Sequence, residues 1–261
     1  MSDANGLVTR SQIRVNKKDV LAATTVRIAS TVFPARADVP LNEKERRLVA
    51  NAISRELCLR LSERFRIVSA DDDADLTVQA TVTHATPTSP TASGASQALS
   101  IAKTVALPGV PVPVPRLPVG LGSLSVEAEA RDFAGFQKAA MVWARSANSI
   151  ANSARVANEG DAYDLAADFG ADFAKLVTTG DSPFGGIPAL PPIESIPVRF
   201  GGAPKYVACE AFGRFPGVTG FAGEKLGLPP GWTDSGAKES STISPAAPPS
   251  HEMSSGLMLT Q

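Results

Sequence analysis

The chain has 261 residues, of which 43% are hydrophobic and 20% are charged, so it can build a core and is not disordered throughout. Its 25 basic and 26 acidic residues leave a net charge of −1, which excludes the concentrated positive field of a nucleic-acid-binding protein. The sequence contains no apolar run of about twenty residues, so no transmembrane helix is predicted.

The first predicted strand follows an N-terminal extension. Residues 1–19 are predicted to be an N-terminal extension in front of the folded domain. Residues 24–33 (TTVRIASTVF) are rich in β-branched side chains and predict a strand that ends at Pro34.

A long helix is predicted next. Asn42 and Glu45 have the spacing of a capping box, which marks the start of a helix. Apolar residues then recur every four positions and form a broad stripe that faces the core, at Val49, Ile53, Leu57 and Leu61. Glu56 and Arg60 lie one turn apart within this stripe, a spacing that favours an ion pair.

Four strands and a second helix are predicted in the rest of the domain. FRIVS (65–69) is a short strand, and LTVQATVTHAT (76–86) alternates apolar residues with polar ones, as a half-buried strand does. Residues 124–131 alternate in the same way, and residues 138–146 are predicted to return as their hairpin partner, with Met141 and Trp143 in the core. A helix is predicted to start at Asp161 and Asp164, with Tyr163, Ala166, Ala167, Gly170, Phe173, Ala174 and Val177 on one face.

This order of elements predicts an α+β fold, a two-layer sandwich in which two helices cover one face of an antiparallel or mixed sheet of about four to six strands. The domain is predicted to occupy residues 20–177. Residues 178–234 combine glycine, proline and aromatic residues, which predicts an extended segment that wraps the domain. Residues 235–261 have the composition of a disordered tail.

A proline-rich apolar segment, LPGVPVPVPRLPVGLG (107–122), is predicted to be an extended loop between two long strands. Its prolines prevent a regular helix, so it cannot cross a membrane as one. Its apolar side chains must be covered, either by the domain itself or by a partner protein or lipid surface. The candidate contact residues are Val110, Val112, Val114, Leu117, Val119 and Leu121.

The sequence predicts no catalytic, cofactor-binding or metal-binding residue. Glu127 and Glu129 share one face of a strand, and His84 lies at the end of another, but all three have the pattern of solvent-facing side chains. The acidic stretch at 71–75 lacks the spacing of a calcium loop and predicts a turn. Cys58 and Cys209 are predicted to be separate buried thiols, with a disulfide between them as the less favoured alternative.

The chain resembles a family of bacterial lipoproteins of unknown function. The resemblance covers residues 20–177 and is carried by the helix NEKERR…LCLRLSERF, the strand ADLTVQATVTHATPT, the strand SVEAEARD with its glycine-containing hairpin, and the helix DAYDLAADFGADFAKLV. It implies a lipid-anchored protein of the Gram-negative envelope. The fold it implies is similar to that of the amino-terminal domain of the Tol translocation protein. It assigns no functional residue.

Three functions are compatible with the sequence and the resemblance. The first is a non-enzymatic envelope protein that binds a partner, and the alternatives are a carrier of a small ligand or lipid and a carboxylate-dependent hydrolase. The resemblance places the protein in the periplasm or at the outer membrane. The first residues contain no apolar run of signal-peptide length, so a cytoplasmic location is predicted instead if Met1 is the true start.

Overall fold

The structure is a computed structural model. It describes residues 1–35, 39–106, 119–148, 155–185 and 195–237, and within helical residues 99–106 it describes the backbone alone.

A single mixed sheet of seven strands organises the fold, with the order β1-β2-β7-β6-β5-β3-β4. Strand β3 runs parallel to both of its neighbours, and the other neighbouring strands are antiparallel. The strands are β1 (Ser2–Asp3), β2 (Thr9–Val15), β3 (Thr25–Ile28), β4 (Arg66–Val68), β5 (Leu76–Thr86), β6 (Ser123–Arg131) and β7 (Gln137–Ser146).

Helices fill the connections and the region that follows the sheet. In the described part of the chain they are α1 (Lys17–Ala22), α2 (Glu43–Leu61), α3 (Pro90–Ala106), α4 (Gly160–Thr179), α5 (Ser195–Arg199), a 3₁₀ helix (Val207–Phe212), α6 (Gly217–Lys225) and α7 (Pro230–Thr233). The predicted capping box of α2 is confirmed, since Asn42 and Glu45 each accept a hydrogen bond from the other's backbone N–H. None of the described helices is long and apolar enough to span a bilayer.

The α+β class and the mixed sheet are confirmed, but the predicted number of strands is too low. Residues 9–15, predicted to lie in an N-terminal extension, pair with β7 as a full strand, and residues 2–3 pair with them in turn. The predicted strand at 24–33 is also shorter than expected: β3 ends at Ile28, and Val32 makes only an isolated bridge to Thr81.

Helix α3 departs from the prediction of a loop between β5 and β6, because the first part of this connection, Pro90–Ala106, is helical. Alanine favours a helix, but the serines, threonines and glycine of this segment weaken that preference, and its apolar residues are mostly small alanines.

The core lies between one face of the sheet and helices α2 and α4. Alternate residues of β5, β6 and β7 belong to the same buried cluster as the apolar stripes of the two helices. Trp143 of β7 is fully buried, as predicted, and meets Phe169 of α4 edge to face at 5.7 Å, and Phe169 stacks on Phe173 at 6.1 Å. The opposite face of the sheet carries exposed polar residues such as Gln79 and Glu127.

Gly170 allows helices α2 and α4 to approach closely. A Cβ atom at this position would lie 2.8 Å from both the Cβ and the Cγ of Glu56 on α2. Real Cβ atoms do not make such short contacts with carbon, so any larger residue would push the two helices apart. The position of Glu56 therefore depends on the absence of a side chain at Gly170.

We expect Gly170→Ala to lower the free energy of unfolding by about 1–2 kcal/mol, because the overpacking exceeds the gain in helix propensity. Chemical denaturation of the two proteins measures the difference. The matched control is Gly94→Ala in helix α3, where an added Cβ meets no atom within 4 Å. That substitution should leave stability unchanged or raise it slightly, and equal effects at the two positions would contradict the close approach of the helices.

Candidate functional site

The segment 195–237 folds back onto helix α2 and forms one wall of a cleft. It is attached at its middle by a disulfide and on either side by ion pairs to Arg55 and Glu56. Since Arg55, Glu56 and Cys58 lie within one turn of α2, the three attachments converge on a short stretch of this helix.

The disulfide joins Cys58 of α2 to Cys209 of the 3₁₀ helix, across a sequence separation of 151 residues. The prediction of two separate thiols was therefore wrong. Both residues are buried, as predicted, but the burial arises because Cys209 and Phe212 enter the domain core. A cross-link between residues so far apart in sequence depends on the tertiary fold, and the spacing of the two cysteines carried no sign of it.

A buried network surrounds Arg55. Its Nη2 atom donates to Asp234 Oδ2 at 2.6 Å and to the Tyr163 hydroxyl at 3.1 Å, and the hydroxyl donates to the same carboxylate oxygen at 2.5 Å. Burial opposes the charge on Asp234, but Arg55 outweighs it and holds the pKa of this carboxyl below its usual value. Burial raises the pKa of Tyr163, so the hydroxyl remains a donor. Removal of either charged partner would leave the other charge buried and unpaired.

Glu56 is the second attachment point. The predicted ion pair with Arg60 is confirmed at 2.9 Å, and Arg199 of α5 approaches the same carboxylate oxygen at 2.5 Å. The Glu56 side chain is only 1% exposed. One carboxylate oxygen therefore accepts from two guanidinium groups, and the other, Oε2, has no hydrogen-bond partner among the described residues.

The cleft between α2, α4 and this segment has a volume of about 500 Å³. Its charged lining consists of four arginines and four acidic residues: Arg55, Arg145, Arg155, Arg199, Glu56, Asp164, Asp168 and Glu224. The aromatic residues of its lining are Tyr163, Phe200, Phe215 and Phe221. The formal charges of the lining sum to zero, so the cleft presents charged groups of both signs but no net formal charge.

Three aspartates lie one turn apart on α4 beside this cleft, and each is held by a different donor. Asp164 pairs with Arg155 at 2.9 Å, Asp168 pairs with Arg145 at 3.0 Å, and Asp172 accepts from the Trp143 indole N–H at 2.9 Å. Burial raises the pKa of Asp164 to about 7 and that of Asp172 to about 6, against the opposing effect of these donors. Burial also raises the pKa of Asp168.

The proline-rich contact segment lies largely beyond the described residues. Val110, Val112, Val114 and Leu117 belong to residues 107–118, which the structure does not describe. Of the two remaining candidates, Val119 is 59% exposed and Leu121 is half-buried two residues before β6. The contact role of this segment stays a prediction.

The polar groups considered in the sequence lie apart from the cleft. Glu127 is exposed on the open face of the sheet, and Glu129 accepts two hydrogen bonds from Arg131, which lower its pKa. His84 is exposed, with its Nε2 3.2 Å from the Thr86 hydroxyl. Asp75 of the acidic turn accepts from Thr24 and Thr25, bonds that lower its pKa to about 2. Among the described residues, no three His, Cys, Asp or Glu side chains are grouped to hold a metal ion.

Sequence reasoning placed Glu56 and Tyr163 on helices but did not single out Arg55, Asp234 or the aspartates of α4 as a site. Asp234 is 179 residues from its partner Arg55. One signal was present: Asp164, Asp168 and Asp172 repeat every four residues on a helix that is otherwise apolar on one face.

The family model of proteins of unknown function DUF3313 matches residues 7–173, well over half of the chain. The chain belongs to the DUF3313 family. The match confirms the predicted membership in a family of unknown function, and it ends within α4, before the segment that completes the cleft. The cleft of this DUF3313 protein is therefore lined both by the matched region and by residues that follow it.

Among solved structures, this DUF3313 chain is similar to a PelC dodecamer and a PelC variant dodecamer from Paraburkholderia phytofirmans, with 9% and 11% identity and a TM-score of 0.37 for each. It is also similar to a DUF4136 family protein from Bacteroides thetaiotaomicron, with 12% identity and a TM-score of 0.32. Each similarity covers 66% of this chain and 97% of the other. No curated protein matches the sequence.

We expect the stability contributed by Asp164 to fall as pH rises from 5 to 8. Because the pKa of Asp164 is about 7 in the folded protein and near 4 in the unfolded chain, the folded state retains a proton that the unfolded state has lost. Relative to Asp164→Asn, the wild type should therefore lose about 2 kcal/mol of unfolding free energy over this range. Urea denaturation at the two pH values measures the change.

The matched control for the loss of one acidic group is Asp73→Asn, at an exposed position in the acidic turn. The carboxyl of Asp164 does not titrate as described if each variant differs from the wild type in unfolding free energy by the same amount at both pH values.

Proposed function

We propose that the protein is a non-enzymatic binding module of the bacterial cell envelope, exported to the periplasm or to the outer membrane. The observation that carries the proposal is the buried disulfide between Cys58 and Cys209. Disulfides form and persist in oxidising compartments such as the periplasm and are rare in the cytosol. The resemblance to bacterial lipoproteins supports the same compartment.

The disulfide has a structural role in this proposal. In the chain-entropy model, a cross-link between residues 151 positions apart lowers the conformational entropy of the unfolded chain. This stabilises the folded state by about 5 kcal/mol. It also fixes one wall of the cleft, because Cys209 anchors the segment that carries Arg199, Phe215 and Asp234. A protein built in this way retains its cleft best where thiols are oxidised.

The lining of the cleft supports binding of a polar ligand. Eight charged side chains line it, several of them already oriented by ion pairs, and pre-oriented polar groups are typical of recognition sites. An acyl chain would have to bury these charges, which is costly, so the lining weighs against the lipid-carrier alternative. On the open face of the sheet, Glu129 is kept ionised by Arg131 and is poorly suited to donate a proton, which weighs against the hydrolase alternative.

The proline-rich segment 107–122 provides a second contact surface in this proposal, either for an envelope protein or for a lipid surface. Exposed Val119 continues the apolar character of the segment into the described region. Contiguous apolar residues that the domain itself leaves uncovered are typical of protein and membrane contacts. A lipid anchor of the kind that the resemblance implies would hold the domain near such partners.

We expect the native protein, fractionated from its own bacterium, to be found in the periplasmic or membrane fraction. Both cysteines should resist alkylation by a thiol reagent after denaturation unless a reductant is added first, because they are joined to each other. The control is the variant with Cys58→Ser and Cys209→Ser, which has no thiol. Recovery in the cytoplasm with both thiols free would overturn the proposal.

The contact role of the proline-rich segment is tested by Val112→Asp with Val114→Asp. These changes should remove co-purification of an envelope partner while leaving the thermal midpoint unchanged, since two charges in an apolar contact are costly to bury. Leu7→Asp, at an exposed apolar position elsewhere, is the matched control. An identical set of co-purified proteins from all three chains would exclude the segment as the contact site.

A further inference from the structure

We propose that the cleft binds a short polypeptide segment of a partner protein, one that carries both an acidic residue and an aromatic residue. This inference deepens the proposed function, on which it rests, by assigning a ligand class to the same cleft.

The segment 195–237 of the chain itself shows which groups the α2–α4 face binds. Asp234 is held by Arg55 and Tyr163, and the Phe215 ring lies 4.9 Å below the Arg55 guanidinium and 5.5 Å from that of Arg199. An acidic side chain and an aromatic ring are thus the groups that this face binds from a polypeptide laid across it. The remaining cleft presents two further guanidinium groups to a second segment, those of Arg145, which pairs with Asp168, and of Arg155, which pairs with Asp164 and Glu224.

Two adjacent residues of α2 each leave a polar atom unpaired at the cleft. Among the described residues, Arg55 Nε and Glu56 Oε2 have no hydrogen-bond partner, although the side chains are 5% and 1% exposed. Unpaired buried groups are uncommon in folded proteins and costly. One is a donor and the other an acceptor, and a peptide unit supplies the complementary pair, since each residue presents one C=O and one N–H.

A third unpaired donor in the described part of the chain, Arg145 Nε, lies at the end of β7 on the other side of the cleft. Its guanidinium already pairs with Asp168 through Nη1, and the side chain is 16% exposed. It is placed to donate to a second backbone carbonyl or to an acidic side chain of the ligand. All three atoms are covered in the free protein, so a peptide reaches them only when neighbouring side chains move.

The size and charge of the cleft agree with a peptide. A volume of about 500 Å³ lies within the usual range for ligand sites, about 300–1,000 Å³. Phe200 and Phe221, which are 54% and 55% exposed, supply apolar contact surface in its lining. The balanced charge of the lining does not favour a multivalent anion such as a nucleotide, whereas a peptide brings both signs and apolar groups together.

The experiment selects dodecapeptides from a random phage-displayed library on the oxidised full-length chain. We expect enriched clones to carry an aspartate or glutamate together with an aromatic residue. A synthetic peptide of the enriched sequence should then bind at least tenfold more weakly to Ala167→Trp, in which the new ring fills the cleft. Ala134→Trp, at an exposed position of the β6–β7 turn, is the matched control and should bind like the wild type.

Phe221→Ala protects the test against a folding defect in the cleft-filling variant, because this ring is half-exposed and its loss leaves the core intact. It should weaken peptide binding several-fold without a change in the thermal midpoint. The inference is overturned if no such clones are enriched, or if the peptide binds the two cleft variants as tightly as the wild type. It is also overturned if maltotriose or inorganic phosphate, but no peptide, shifts the amide resonances of residues in the cleft.

The two proposals fail separately. Loss of peptide binding in an exported, disulfide-bonded protein would remove only the ligand class. Recovery of a reduced protein from the cytoplasm would remove the envelope assignment and would leave a measured peptide affinity standing.

Discussion

The attachment of residues 195–237 to helix α2 is the constraint on which the cleft depends. The Cys58–Cys209 disulfide fixes the middle of the segment, and the Arg55–Asp234 and Glu56–Arg199 pairs fix its two flanks. Each ion pair is strongly desolvated on its α2 side. Arg55 would be left buried and unpaired without Asp234, whereas Glu56 also pairs with Arg60. The segment and the helix therefore form one unit, and the cleft is the space that remains between that unit and α4.

The electrostatics of the cleft follow from its position at the edge of the core. Helix α4 turns its apolar stripe, which includes Phe169, towards Trp143 of β7, and its aspartates lie beside that stripe, where burial penalises their charge. The aspartates are held by Arg155 from the loop before α4 and by Arg145 and Trp143 from β7, which ties both parts of the chain to the helix. The pairs orient the arginines that face the cleft, and they make its charge sensitive to pH near neutrality, because protonation of Asp164 leaves Arg155 in excess.

Local sequence patterns were sufficient to predict those elements that bury one face in the core. The alternation in 76–86 and 124–131, the four-residue repeat in α2 and the Asn42–Glu45 box gave the strands, the helix and its start, since each depends on neighbours in sequence. The same reasoning failed for β2 and α3. TRSQIRV has only three apolar or β-branched residues to mark its buried face, and it becomes a strand because β7 supplies hydrogen bonds. In helix α3 the serines, threonines and glycine weaken the helix preference of a segment whose apolar residues are mostly alanines.

The sequence by itself determined the fold class, the family and the pairing of Glu56 with Arg60, because these rest on spacings of a few residues or on a pattern spread over the whole domain. Only the tertiary structure decided the disulfide, the Arg55–Tyr163–Asp234 network and the cleft they enclose. These contacts join residues 71 to 179 positions apart, and a contact at that distance exists only when both ends are already held by the fold. The physical reason is that the entropy cost of closing such long loops is offset by the packing of the whole intervening chain. A local sequence pattern does not contain this balance.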